Sequence, residues 1–118
     1  MHELAITQNI VALVVNASTH RPIKVITLKV GELSGVQEEA IRFCFDVVSK
    51  RTMAEGARLD IVPVPALLRC RKCFLEFLLN DKWACPSCAA IGGDVLSGKE
   101  FFVESIEVED EREENALG

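Results

Sequence analysis

Four of the five cysteines fall into two pairs, Cys70-Arg71-Lys72-Cys73 and Cys85-Pro86-Ser87-Cys88. Two thiolates held two residues apart on a tight turn can both reach one ion. Residues 74–84, eleven in all, leave room for a short hairpin between the pairs. This is the spacing of a four-cysteine zinc ribbon. Four thiolates around Zn(II) carry a net double negative charge, and Arg69, Arg71, Lys72 and Lys82 are near enough in sequence to offset it. Such a ligand sphere is closed, so the zinc it implies is structural and not catalytic. A thiol-redox site would use one pair at a strand-to-helix junction, whereas here two pairs stand at metal spacing. A lobe this small buries too little apolar area to fold alone. Structural zinc, worth about 10 to 16 kcal/mol, is expected to supply most of its folding free energy. Cys44 stands alone in an apolar stretch and reads as a small buried hydrophobe.

The other residues with metal chemistry lie at the beginning. A side chain as large as His2 is expected to leave Met1 in place. The His2 backbone nitrogen and its imidazole Nδ1 can then close a six-membered chelate ring. The Met1 amine or the Glu3 amide nitrogen can close an adjacent five-membered ring. That nitrogen-rich arrangement suits Ni(II) or Cu(II), which accept tetragonal ligand sets. Taken alone, a histidine at position 2 is more often a solvated residue at a frayed terminus than a metal ligand.

The elements that must position these residues can be read from periodicity. In residues 1–20, Ile6, Ile10, Leu13, Val14 and Ala17 recur at helical spacing and predict a first helix with one buried face. Arg21-Pro22 ends it, with the exposed His20 about 27 Å along the helix from His2 at 1.5 Å per residue. Residues 24–30 alternate, with Ile26, Leu28 and Val30 on one face of a half-buried strand. After a turn at Gly31 to Gly35, Ser34 and Gln37 have capping-box spacing. Val36, Ala40, Phe43 and Val47 then predict the buried face of a second helix running to about Lys50. Residues 58–64 predict a strand that Pro63 and Pro65 mark as leaving the sheet or lying on its edge. The final strand, 101–108, is expected to pair with it and changes apolar parity between Val103 and Ile106. The fold class is α+β: two helices on a three-stranded sheet, residues 1–66 plus 98–118, with an inserted four-cysteine zinc-ribbon lobe at 67–97.

Composition narrows the function. At 118 residues and 49% hydrophobic the chain suits one small domain or a core with an insert. The net charge of -5 and the acidic ending, Glu107, Glu109, Asp110, Glu111, Glu113 and Glu114, argue against nucleic acid as a partner. No run approaches the roughly 18 apolar residues of a membrane span, and no basic leader precedes an apolar stretch. A cytoplasmic protein without membrane contact is expected. No Ser/His/Asp set and no phosphate-cradling glycine motif is present, so the chain does not read as an enzyme.

The start Met1-His2-Glu3-Leu4, the helix, strand and helix that follow, the pairs Cys70/Cys73 and Cys85/Cys88, and the closing strand together resemble the HypA/HybF family of hydrogenase nickel-incorporation proteins. Val30-Gly31-Glu32-Leu33-Ser34 and Leu59-Asp60-Ile61 look like the family too. The resemblance covers essentially the whole chain. It implies a metallochaperone that delivers Ni(II) to the large subunit of a [NiFe]-hydrogenase with a HypB-type GTPase as partner, acting as a monomer or weak homodimer. It further implies nickel held by His2 with the Met1 amine and Glu3, and Zn(II) held by Cys70, Cys73, Cys85 and Cys88. The rival reading is a zinc-ribbon interaction adaptor without nickel chemistry.

Overall fold

A computed structural model describes residues 2–109, with His2 described by its backbone alone. Met1 and the acidic tail beyond Glu109 lie outside the described residues. The elements are α1 (His2–Ala17), β1 (Ile23–Gly31), α2 (Glu38–Val48), β2 (Arg58–Val64), β3 (Leu67–Arg69), β4 (Glu76–Leu78), β5 (Asp94–Ser97) and β6 (Phe101–Val108). They form two three-stranded sheets, ordered β2-β1-β6 and β4-β3-β5. Among the described residues no helix is long and apolar enough to cross a membrane.

The strand following the cysteine lobe does not pair with β2 as its position suggested. β1 lies between them. The reason is visible in composition: β1 buries Ile23, Ile26, Leu28 and Val30 and takes the centre, while Pro63 lacks the N–H a central strand must donate and keeps β2 at an edge. Along β6 the half-buried positions are 101 and 103, then 106 and 108, so the expected change of parity is present.

The chain divides into two compact units, Met1–Leu28 with Val36–Ile61 and Val103–Gly118, and Lys29–Gly35 with Val62–Phe102. In the first, α1 packs on α2. Helix α1 buries Thr7, Ile10, Val11 and Val14, whereas Leu13, expected inside, is exposed. The buried stripe is therefore rotated by part of a turn from the one the periodicity picked out. The helix stops where Thr19 and His20 adopt left-handed backbone angles, just before Pro22.

Helix α2 corrects its expectation more sharply. It carries two apolar stripes at helical spacing, and the one containing Ile41 and Phe45 is buried, while Phe43 is 72% exposed and Val47 is also outside. Arg42 fixes this rotation by donating from Nη1 to the Leu59 carbonyl at 2.7 Å and pairing with Glu38 at 3.2 Å. No capping box forms. The N-cap is Gln37 without a side-chain cap hydrogen bond, and the Ser34 N–H donates to the Gly31 carbonyl in the turn after β1.

In the second unit, Gly31 and Gly98 bring backbones together. A Cβ on Gly31 would stand 2.1 Å from the Gly98 oxygen, so only glycine fits. The Leu33 N–H donates to that same oxygen, and the Glu32 carboxylate accepts the Ala66 N–H at 2.8 Å. β3 pairs antiparallel with β4 and β5, placing Leu68 opposite Phe77 on one side and Val95 on the other. Leu68, Phe77, Ala66, Cys70 and Cys85 form its buried cluster.

Candidate metal centre

The two cysteine pairs are built alike. The Cys70 N–H donates to the Leu75 carbonyl at 2.8 Å, and the Phe74 N–H donates back to the Cys70 carbonyl at 3.0 Å. At the second pair, Cys85 donates to Ala90 at 2.8 Å and Ala89 donates to Cys85 at 2.9 Å. Each turn closes with a left-handed residue at the fifth position, Phe74 at φ 64 and Ala89 at φ 65. Asn80 organises the approach to the second turn: its Oδ1 accepts from the Lys82 and Ala84 N–H groups and its Nδ2 donates to the Ala84 carbonyl at 2.7 Å.

Folding the lobe brings the turns face to face. All four Sγ atoms lie within 4.8 Å of one another. The closest pairs take one cysteine from each turn, Cys70 with Cys88 and Cys73 with Cys85, both at 3.5 Å. Zn–S bonds of about 2.3 Å in a tetrahedron require sulfurs about 3.8 Å apart. The four free thiols therefore fit zinc in donor type, number and spacing.

The ligands are of two kinds. Cys70 and Cys85 are buried, Cys73 and Cys88 exposed. The N–H groups of Cys73 and Lys72 point at the Cys70 sulfur from 3.5 and 3.4 Å and pull its thiol down to about 6. Burial raises Cys85, but N–H groups of Cys88 and Ser87 outweigh it and the net shift is downward. For Cys73 the Leu75 N–H is the largest influence and favours the thiolate. The neighbouring Cys85 sulfur and burial nonetheless carry it up to about 11. Two inner sulfurs are thus prepared as anions by backbone amides. Four anions this close oppose one another unless a cation sits among them.

The expected charge compensation is only half present. Arg69 pairs with Glu76 at 3.0 Å and Arg71 with Asp94 at 2.8 Å, so both guanidinium groups are engaged by carboxylates. Lys72 and Lys82 remain exposed. Cys44 is half-buried and outside the cluster.

Of the proposed nickel residues, Met1 and the His2 side chain lie outside what the structure describes. Glu3 is half-buried in the first turn of α1, and its carbonyl accepts the Thr7 hydroxyl at 2.6 Å. Sequence reasoning missed the repeat of the two turns, although Cys-x-x-Cys followed by two apolar residues occurs at both places.

A family model described as hydrogenase/urease nickel incorporation, metallochaperone, hypA matches residues 1–108. The chain is 44% identical over 111 residues to the hydrogenase maturation factor HypA of Trichodesmium erythraeum, covering 93% of this chain and 97% of that one. It is also 44% identical to the HypA of Geotalea uraniireducens, covering 92% and 100%. In fold it is similar to the solution structure of the Ni metallochaperone HypA from Helicobacter pylori, with a TM-score of 0.64, 23% identity, and 92% and 98% of the two chains covered. Matched from its first residue through the end of its last strand, this chain belongs to the HypA family of hydrogenase and urease nickel-incorporation metallochaperones.

Proposed function

We propose that this protein binds Ni(II) at its N-terminus through His2, with the Met1 amine and Glu3 completing the protein's share of the ligands. It then helps pass the ion to the large subunit of a [NiFe]-hydrogenase. The observation that carries this reading is the family match over residues 1–108, which includes Met1-His2-Glu3 as well as the four cysteines. The start of α1 at His2 supports it chemically. The helix dipole at the start of α1 favours the negative charge that the Glu3 amide nitrogen acquires on losing its proton.

In the same reading Cys70, Cys73, Cys85 and Cys88 hold a structural zinc ion, and residues 67–97 serve as the zinc lobe beside a nickel lobe of 1–66 and 98–118. The protein carries a metal and catalyses no reaction. It acts in the cytoplasm, with a HypB-type GTPase as its nickel-handling partner. A terminal imidazole with backbone nitrogen binds Ni(II) strongly yet stays open to ligand exchange, as delivery requires.

The test is complementation of a strain lacking this protein. Wild type is expected to restore hydrogenase activity in nickel-poor medium. His2→Ala is expected to restore it only when nickel is supplied in excess. Full rescue by His2→Ala in nickel-poor medium would remove the nickel role and leave a zinc-ribbon adaptor.

A further inference from the structure

Two aromatic residues of the cysteine lobe hold backbone conformations that large side chains seldom adopt. Phe74 has φ 64 and is 70% exposed, and Trp83 has φ 54 and is 44% exposed. Left-handed angles are uncommon outside glycine and are genuine outliers for bulky residues. The fold does not ask for an aromatic there. Ala89 fills the place equivalent to Phe74 in the second cysteine turn at nearly the same angle. Nor is either ring recovering its strain by burial. Backbone hydrogen bonds pin both positions, Phe74 N–H to Cys70 and Trp83 N–H to Asn80, so the rings are presented on a fixed frame.

The charges beside them are equally specific. Arg69 and Arg71 are occupied by Glu76 and Asp94, but Lys72 and Lys82, next to the two aromatics in sequence, have no ion-pair partner among the described residues. The two segments converge through their cysteines, since Cys73 and Cys85 stand 3.5 Å apart. A surface pocket of about 380 Å³ is lined by residues on either side of Trp83 in sequence, Asp81 and Lys82 before it and Ala84, Cys85 and Pro86 after it. Its mainly apolar wall suits a hydrophobic side chain, with Lys82 at its edge.

We propose that Phe74, Trp83, Lys72 and Lys82 form a docking surface for an acidic segment of a partner protein that carries large apolar side chains. The apolar groups meet the strained aromatics and the pocket, and the carboxylates meet the two free ammonium groups. Nucleic acid fits less well. Two unpaired ammonium groups, Lys72 and Lys82, can meet a few carboxylates but are too few to track a backbone that carries a charge at every nucleotide. This surface depends on the metal-held lobe but not on the nickel site, so it stands or falls separately from His2.

The test uses the zinc-loaded full chain and the emission of Trp83, its only tryptophan. The probe is a synthetic peptide of Glu and Asp interrupted by two Leu. The controls are the same peptide with Gln and Asn in place of the acids, and an oligothymidylate. Saturable binding of the acidic peptide that weakens with salt is expected, with the amide peptide and Lys72→Glu/Lys82→Glu each weaker by about tenfold or more. Phe74→Gly separates docking from architecture. It relieves the left-handed strain, so resistance to unfolding should stay level or rise while peptide affinity falls. Wild-type affinity in Phe74→Gly or in the double lysine variant would overturn the proposal. So would tighter binding of oligothymidylate than of the acidic peptide, or no saturation by the peptide.

Discussion

Cys70 and Cys85 are equivalent residues of two copies of one turn: each donates its N–H to the carbonyl five residues ahead, Leu75 and Ala90, at 2.8 Å. Both are buried, and both sulfurs are turned down in pKa by amides two and three residues on. Their exposed neighbours Cys73 and Cys88 are the outer pair. The zinc site thus has an inner half fixed by backbone and an outer half facing solvent.

Cys70→Ser or Cys85→Ser should therefore lower zinc affinity about tenfold more than Cys73→Ser or Cys88→Ser, because each inner sulfur is buried and loses two supporting amide bonds as well as a ligand, whereas Cys73 loses one, from Leu75. Competition with a chromophoric chelator measures this. Equal losses at all four positions would show that the amides contribute nothing.

Removing the metal should unfold the lobe and spare the helices. Leu68 and Phe77, its largest buried side chains, contribute about 1.5 to 3 kcal/mol each, too little to hold the segment without zinc. Chelation is expected to shift Trp83 emission toward that of exposed indole while the far-UV signal of α1 and α2 persists. An unchanged Trp83 spectrum after complete zinc removal would contradict a metal-dependent lobe.

Gly31→Ala should destabilise by at least about 2 kcal/mol, since the added carbon must displace the Gly98 carbonyl and with it the Leu33 hydrogen bond. Urea unfolding of the zinc-loaded protein measures it. Wild-type stability would mean the two backbones are not in such close approach.

On α2, Phe45→Ala should cost about 3 to 5 kcal/mol and Phe43→Ala less than about 0.5 kcal/mol. The reverse order would place the buried stripe where the periodicity alone suggested it.

How far the sequence could be read turns on such pairs of residues. The cysteine cluster was legible because two thiolates at fixed spacing have one economical use, and β1 was legible because Ile26, Leu28 and Val30 alternate with no competing pattern. The rotation of α2 was not, because Ile41 with Phe45 and Phe43 with Val47 are both apolar pairs at helical spacing. Arg42 reaching the Leu59 carbonyl decides between them, a contact 17 residues away that no local pattern contains. The pairing of β6 with β1 was hidden for the same reason. Nothing in residues 101–108 says which strand they meet. The N-terminal chelate is a proposal from residue types, since one histidine has several uses and the family match is what gives it weight.

Acid should weaken one surface contact in a defined window. The Arg58 side chain, bonded to Asp60 at 2.9 Å, holds that carboxyl below its ordinary value of 3.8. A lowered carboxylate value gives stability that is present above the ordinary value and lost as pH falls through the lowered one. Asp60→Asn should therefore melt slightly below wild type at neutral pH, with the difference closing below about pH 3.8. A gap that persists or widens in acid would mean the carboxylate charge is not the cause.

The nickel site is tested most directly by calorimetric titration of Ni(II) into protein with a native, untagged N-terminus, comparing wild type with His2→Ala and measuring bound zinc in both. One tight nickel site in the wild type, lost in His2→Ala while each protein keeps one zinc per chain, is the predicted result. Nickel bound with equal affinity by both proteins, or by neither while zinc is retained, would contradict it.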